Sequence, residues 1–284
     1  MDACTDCEER IPGLGSQFIK DLAGIGGLER HKPHYDQLMQ KLAELLVLRQ
    51  LLMLPWPEGT TFEHEPAAIP NGKRPELRVV TAERAYLFEV KTPSLLEHIE
   101  NRNRNDLQAP GRALPQNHLQ TLAAAGGLTL PRDNPVKDFL VDSEKKFGQF
   151  KAVSEHTSVL VIVWDDFIYE PITVLTHAQC GLLTPNSYFR DDAGAAVQFP
   201  SINAVVLVRH LNYIQDAAAD RPLADRAHAL DFGGHDALPN VLIPLAGGAD
   251  VPPWIREGLR ALPLDAPFCQ AAAEYHPQDV VFWR

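Results

Sequence analysis

Two stretches of the chain run almost without polar interruption: Ser158 to Trp164 (SVLVIVW) and Ile202 to Val208. A strand with one face in water alternates apolar and polar residues. A strand that does not alternate must be covered on both faces, as in parallel or mixed sheets packed between helices. These two segments therefore predict an α/β fold with a mixed central sheet flanked by helices. The chain has 284 residues, of which 45% are hydrophobic. That suffices for one large domain, or for a core with an added lobe.

The elements that precede the first of these strands are legible in order. Residues 1–34 carry glycines at 13, 15, 24, 26 and 27 and read as a flexible N-terminal arm. From Tyr35 to Leu54, the residues Leu38, Met39, Leu42, Leu45, Leu46, Arg49 and Leu52 recur at three- and four-residue spacing, which predicts a helix ended by Pro55 and Pro57. Three strands are expected next: Thr60 to Glu65, Pro75 to Val80 after the Asn71-Gly72 turn, and Ala85 to Lys91. A helix could start at Pro93 and Ser94 and run to about Glu100. Residues 101–135, rich in Asn, Arg, Pro and Gly, read as an insertion, and Phe139 to Ala152 as a helix. A core of residues 35–165 is thus followed by an acidic extension, 166–284, belonging to the same domain or forming a small lobe.

Charge is distributed unevenly. The net charge is −11, which weighs mildly against a nucleic-acid partner. Residues 1–151 hold 19 Lys and Arg against 21 Asp and Glu, whereas residues 152–284 hold 7 against 16. A phosphate-binding surface therefore belongs to the first half. Four cysteines are too few for a disulfide framework, no run of 18 apolar residues exists, and the polar N-terminus lacks the stretch of a secretory signal, so a cytoplasmic setting without a membrane is expected.

The segment from Arg74 to Pro93, RPELRVVTAERAYLFEVKTP, carries the chemistry. Residues two apart in a strand share a face, so Leu87, Glu89 and Lys91 point one way and Phe88 and Val90 the other. Glu76, on the preceding antiparallel strand, comes within cross-strand reach of Glu89, roughly 5 Å. Two carboxylates at that distance suit a hard divalent ion, Mg²⁺ or Mn²⁺, and a lysine beside them can orient water and stabilise developing charge. The plain alternative is a solvated strand face with a surface ion pair, worth only ~0–1 kcal/mol.

Pro75-Glu76, twelve residues, then Glu89-Val90-Lys91 resembles the PD-(D/E)xK, or restriction-endonuclease-like, nuclease superfamily. The pattern departs from that family where Glu76 replaces the usual aspartate. The resemblance implies a restriction-endonuclease-like core over about residues 35–165, with C-terminal additions, and a metal-dependent nuclease acting on nucleic acid, DNA ahead of RNA. It implies Glu76, Glu89 and the Val90 carbonyl as metal ligands and Lys91 as the group that positions water. Glu44 on the preceding helix and Gln149 on the following one would assist. Lys145, which shares a helix face with Gln149, and Arg102 and Arg104 would contact phosphates, with Arg112 a further candidate. The competing class is a nuclease fold with a decayed site that serves as a binding module.

Other clusters are weaker. Cys4-x-x-Cys7 with His31 and His34 admits a zinc site, against a disordered tail. Asp165-Asp166 suits a strand-end cap better than a metal. His210, His228 and His235 form no usable spacing. The oligomeric state is not legible.

Overall fold

A computed structural model describes residues 2–26, 32–94, 133–165, 167–223, 226–233, 239–245, 250–273 and 281–282, with positions 96, 100, 107–108, 121, 124 and 128–129 between them. It is α/β, with helices flanking a mixed sheet of seven strands. The chain divides into two compact units. The first comprises 1–92, 139–166 and 199–264; the second comprises 93–138, 167–198 and 265–284.

In the first unit, strands β1 (Thr61–His64), β2 (Leu77–Val80) and β3 (Ala85–Lys91) form an antiparallel meander. β3 then pairs in parallel with the strand at Thr157–Trp164, every residue of which is buried. Ala204–Arg209 lies parallel on its other side, Asn240–Pro244 antiparallel beyond that, and Ala261–Pro263 parallel at the far edge. The apolar run of 158–164 thus sits in the middle of the sheet, as its lack of alternation requires. Residues 199–264, read from sequence as part of an acidic extension, supply three strands of this same sheet.

The N-terminal segment departs from expectation. Residues 1–34 are not a loose arm among the described positions. Asp2–Arg10 (α1) and Leu14–Ile25 (α2) are helices, and both pack on α3, Lys32–Leu52. Glycine here serves close approach and a turn. A Cβ on Gly15 would lie 2.1 Å from the Cys4 carbonyl oxygen, and Gly13 turns the chain with φ +91°. The Glu8 carboxylate then accepts hydrogen bonds from the Gly13 and Ser16 N–H groups, at 2.8 and 3.0 Å, and joins the two helices. These backbone donors hold Glu8 below its ordinary pKa. Phe18 is 2% exposed, and burying such a ring contributes about 2–3 kcal/mol. This pair of helices explains why Leu45, Leu46, Val47 and Leu48 are all buried although they point around the full turn of α3. A helix apolar all round needs cover on every side.

The helix at Asp133–Lys151 (α4) begins in the second unit and enters the first at Phe139. The second unit also holds the helix Tyr169–Thr176 packed on Pro267–Ala273. A three-stranded sheet of short strands, at 107–108, 128–129 and 281–282, belongs to it too. The helix expected over 93–100 and most of the insertion at 101–135 lie outside the described residues.

Candidate active site and metal centre

β3 ends on the expected pair. Glu89 is fully buried, and its Oε1 accepts from Lys91 Nζ at 2.9 Å and from Lys146 Nζ at 2.5 Å. Asp142 completes the network, 2.8 Å from Lys91 and 2.5 Å from Lys73. Asp142, Lys146 and Gln149 stand four and three residues apart on α4, so one face of that helix addresses the end of β3. The solvated surface pair is excluded: Lys91 is one-fifth exposed and Glu89 not at all. Burial works against the charge on Asp142, but hydrogen bonds from Lys73 and Lys91, and the charge of Lys146, hold its carboxyl well below the usual carboxylate range. For Lys91, burial is likewise outweighed by Glu89 and Asp142, which raise its pKa.

Glu76 precedes β2 by one residue. Extending the Leu77–Phe88 register by one step sets it opposite Glu89. Its carbonyl accepts from the Glu65 N–H at 3.0 Å, which ties it to the end of β1. Burial, then the charges of Glu44 and Glu89, push the Glu76 carboxyl up to about 7. Glu44 behaves oppositely. Burial would raise it, but His64 and Lys41 beside it bring its pKa below the ordinary value. Lys41 Nζ binds Glu44 Oε2 at 2.7 Å and lies 3.7 Å from Asp21 of α2.

The described residues contain one group of convergent ligand atoms: Glu44, His64 and Glu76, all within 4.8 Å of one another. The ligand set read from sequence, Glu76, Glu89 and the Val90 carbonyl, shares Glu76 with this cluster. Glu76 remains, Glu44 moves from an assisting role into the cluster, and His64, which the sequence reading passed over, joins it. Glu89 is instead held by two lysines through Oε1, while its buried Oε2 has no hydrogen-bond partner. Val90 lines the same cleft as Glu76 and Lys91.

That cleft, about 670 Å³, has one wall from α2 (Lys20, Asp21, Gly24, Ile25) and another from α3 (His34 to Glu44). The strand ends supply its floor. A second cleft of about 510 Å³ shares Asp21, Lys41 and Glu44 with the first and reaches His64. The N-terminal helices therefore help to enclose the candidate site.

The remaining candidates fall elsewhere. Gln149 Oε1 accepts from the Lys73 N–H at 3.0 Å and braces the Asn71-Gly72 turn, where a Cβ on Gly72 would lie 2.7 Å from that same oxygen. Lys145 is exposed, and its neighbour Lys146 makes the inward contact, one step away in helical phase. Arg102, Arg104 and Arg112 lie outside the described residues, as do His31, Asp166 and His235. Cys4 and Cys7 are buried free thiols, and burial, followed by the nearby Cys4 and Asp6, pushes Cys7 up to about 12. His210 is a core residue bound to Ala229 O and Arg226.

No family model, curated protein or solved structure matches this chain. No helix among the described residues is long and apolar enough to cross a membrane.

Proposed function

We propose that the chain is a metal-dependent phosphodiesterase with a restriction-endonuclease-like core, acting on nucleic acid and on DNA ahead of RNA. The observation that carries this reading is the convergence of Glu44, His64 and Glu76, of which Glu44 and Glu76 line one cleft with a lysine, Lys91. The order helix, three-stranded meander, helix, parallel strand supports it, as does the Pro75-Glu76…Glu89-Val90-Lys91 spacing.

The donor set fits a divalent ion. Glu76 is a carboxyl that burial, then the charges of Glu44 and Glu89, push up to about 7, and Glu89 carries a buried oxygen that nothing satisfies, a costly arrangement that a cation or its bound water would relieve. A Mg²⁺ or Mn²⁺ ion held there would polarise a phosphate and acidify water. Glu44 and Glu76 would hold the ion. Lys91, fixed by Glu89 and Asp142, presents its ammonium to the cleft and stabilises charge that develops on phosphate oxygens. Lys146 keeps Glu89 in place and so positions Lys91. A cytoplasmic setting fits the four free cysteines.

One observation favours a second reading. Two lysines share Glu89 Oε1, so the strand end already has its charge compensated. That would suit a non-catalytic binding module. Nicking of plasmid and single-stranded DNA and RNA in Mg²⁺ and in Mn²⁺, with EDTA as control, separates the two. The hydrolytic reading expects cleavage that Lys91→Ala abolishes while metal binding, followed by calorimetry, persists. Metal binding without cleavage by the unmodified protein supports the binding module.

A further inference from the structure

His64 is the last residue of β1, and Glu65 after it takes φ +46°, which turns the chain out of the strand. Its Nε2 is buried and makes no hydrogen bond; the nearest carboxylate oxygen, Glu44 Oε1, is 3.9 Å away, beyond hydrogen-bonding reach. Glu44 meets Lys41 through the other oxygen, so Oε1 and the imidazole nitrogen face each other with room between them. Ligands bonded at about 2.1–2.2 Å to one ion sit about 3 Å apart when adjacent and about 4.3 Å when opposite. The 4.8 Å spread of Glu44, His64 and Glu76 thus contracts onto an ion with sub-ångström side-chain movement. The fully buried, unpartnered Glu89 Oε2, on the residue opposite Glu76, is an independent sign that a cation belongs here.

The imidazole matters for which cation. Mg²⁺ takes oxygen ligands and keeps several waters, whereas first-row transition ions accept a nitrogen donor readily. We propose that His64 is a metal ligand and makes this centre selective for Mn²⁺, or a kindred transition ion, over Mg²⁺. This deepens the phosphodiesterase reading by naming its metal, but it rests on ligand geometry and is tested by binding.

The experiment uses the full chain. Calorimetry with Mn²⁺ and with Mg²⁺ should show Mn²⁺ binding at least about tenfold tighter, a preference that His64→Asn reduces at least about tenfold by weakening Mn²⁺ alone. Pulsed electron paramagnetic resonance of the Mn²⁺-loaded protein should show nitrogen-14 coupling. His34 lines the cleft that Glu44 and Glu76 share, so the coupling must persist in His34→Asn and vanish in His64→Asn. A thermal melt checks that each variant folds, with His64→Gln as a second variant should the first fail. Bound Mn²⁺ without nitrogen coupling, or an Mn²⁺/Mg²⁺ ratio unchanged by the substitution, overturns the assignment. No binding of either ion overturns it together with the metal-dependent reading. Nitrogen-coupled Mn²⁺ without cleavage refutes only the hydrolysis and leaves the ligand assignment standing.

Discussion

Replacing Glu76 with glutamine tests the electrostatics of the site directly. In the folded protein this carboxyl is raised from 4.5 to about 7, through burial and then the charges of Glu44 and Glu89. A pKa unit corresponds to about 1.4 kcal/mol, so ionised Glu76 opposes folding by at most about 3 kcal/mol. The folded state keeps a proton that the unfolded chain releases. The associated stability is therefore complete below about pH 4.5 and lost as pH rises through 7. Glutamine cannot ionise and does not lose it. In EDTA at pH 8.5, Glu76→Gln should be more stable than the parent by up to about 3 kcal/mol, a melting shift of roughly 6 °C for a chain this long. At pH 5 the gap should shrink to below about 1 kcal/mol. Mn²⁺ at a thousand times its Kd should invert the order, because it stabilises the parent by about 4.1 kcal/mol and the variant binds it poorly. Identical melts at pH 8.5, or a gap that persists unchanged at pH 5, would refute the reasoning.

Four further substitutions probe the scaffold. Glu89→Gln leaves Lys91 and Lys146 without their shared anion and should destabilise the fold by roughly 3–5 kcal/mol, read as a lower urea midpoint with unchanged slope. Lys146→Ala should cost a comparable amount, while Lys145→Ala, on the exposed side of the same helix, should stay within about 0.5 kcal/mol; equal effects would mean that the helix is turned otherwise. Gly15→Ala would place a methyl group 2.1 Å from the Cys4 carbonyl oxygen and should destabilise by about 1–3 kcal/mol as α1 and α2 separate, detectable as earlier hydrogen exchange in residues 2–25.

Much of the sheet was legible in sequence, and β3 to the residue, because a turn and an apolar back bound it on both sides. β2 starts two residues later than expected: Pro75 and Glu76 approach the ladder without joining it. The N-terminal helices were hidden by their glycines. Composition cannot tell a glycine that loosens a chain from one, like Gly15, that lets two helices touch. His64 was reachable in part. Alternation along Thr61 to His64 puts Phe62 and His64 on the half-buried face, but only tertiary packing shows that Glu44 faces that strand end. Regular i, i+4 spacing from Gln149 points to Lys145, whereas Lys146 makes the contact. The phase of α4 is set by Asp142, whose partners Lys73 and Lys91 lie 69 and 51 residues upstream.

Those separations have a consequence for biosynthesis. Glu89 and the Lys146 that compensates it are 57 residues apart, and Lys73 and Gln149 are 76 apart. At about 5–20 residues per second, Glu89 leaves the ribosome some 3–11 s before its partner. Through that interval the meander of β1, β2 and β3 has an open edge along β3, the edge that Thr157–Trp164 later occupies, and its terminal carboxylate has only Lys91 for company. An exposed strand edge invites wrong pairing. Glu89, fully enclosed in the finished protein, is during synthesis a charge that discourages another chain from docking there. Glu89 thus acts as a guard on the nascent sheet until α4 and the central strand arrive.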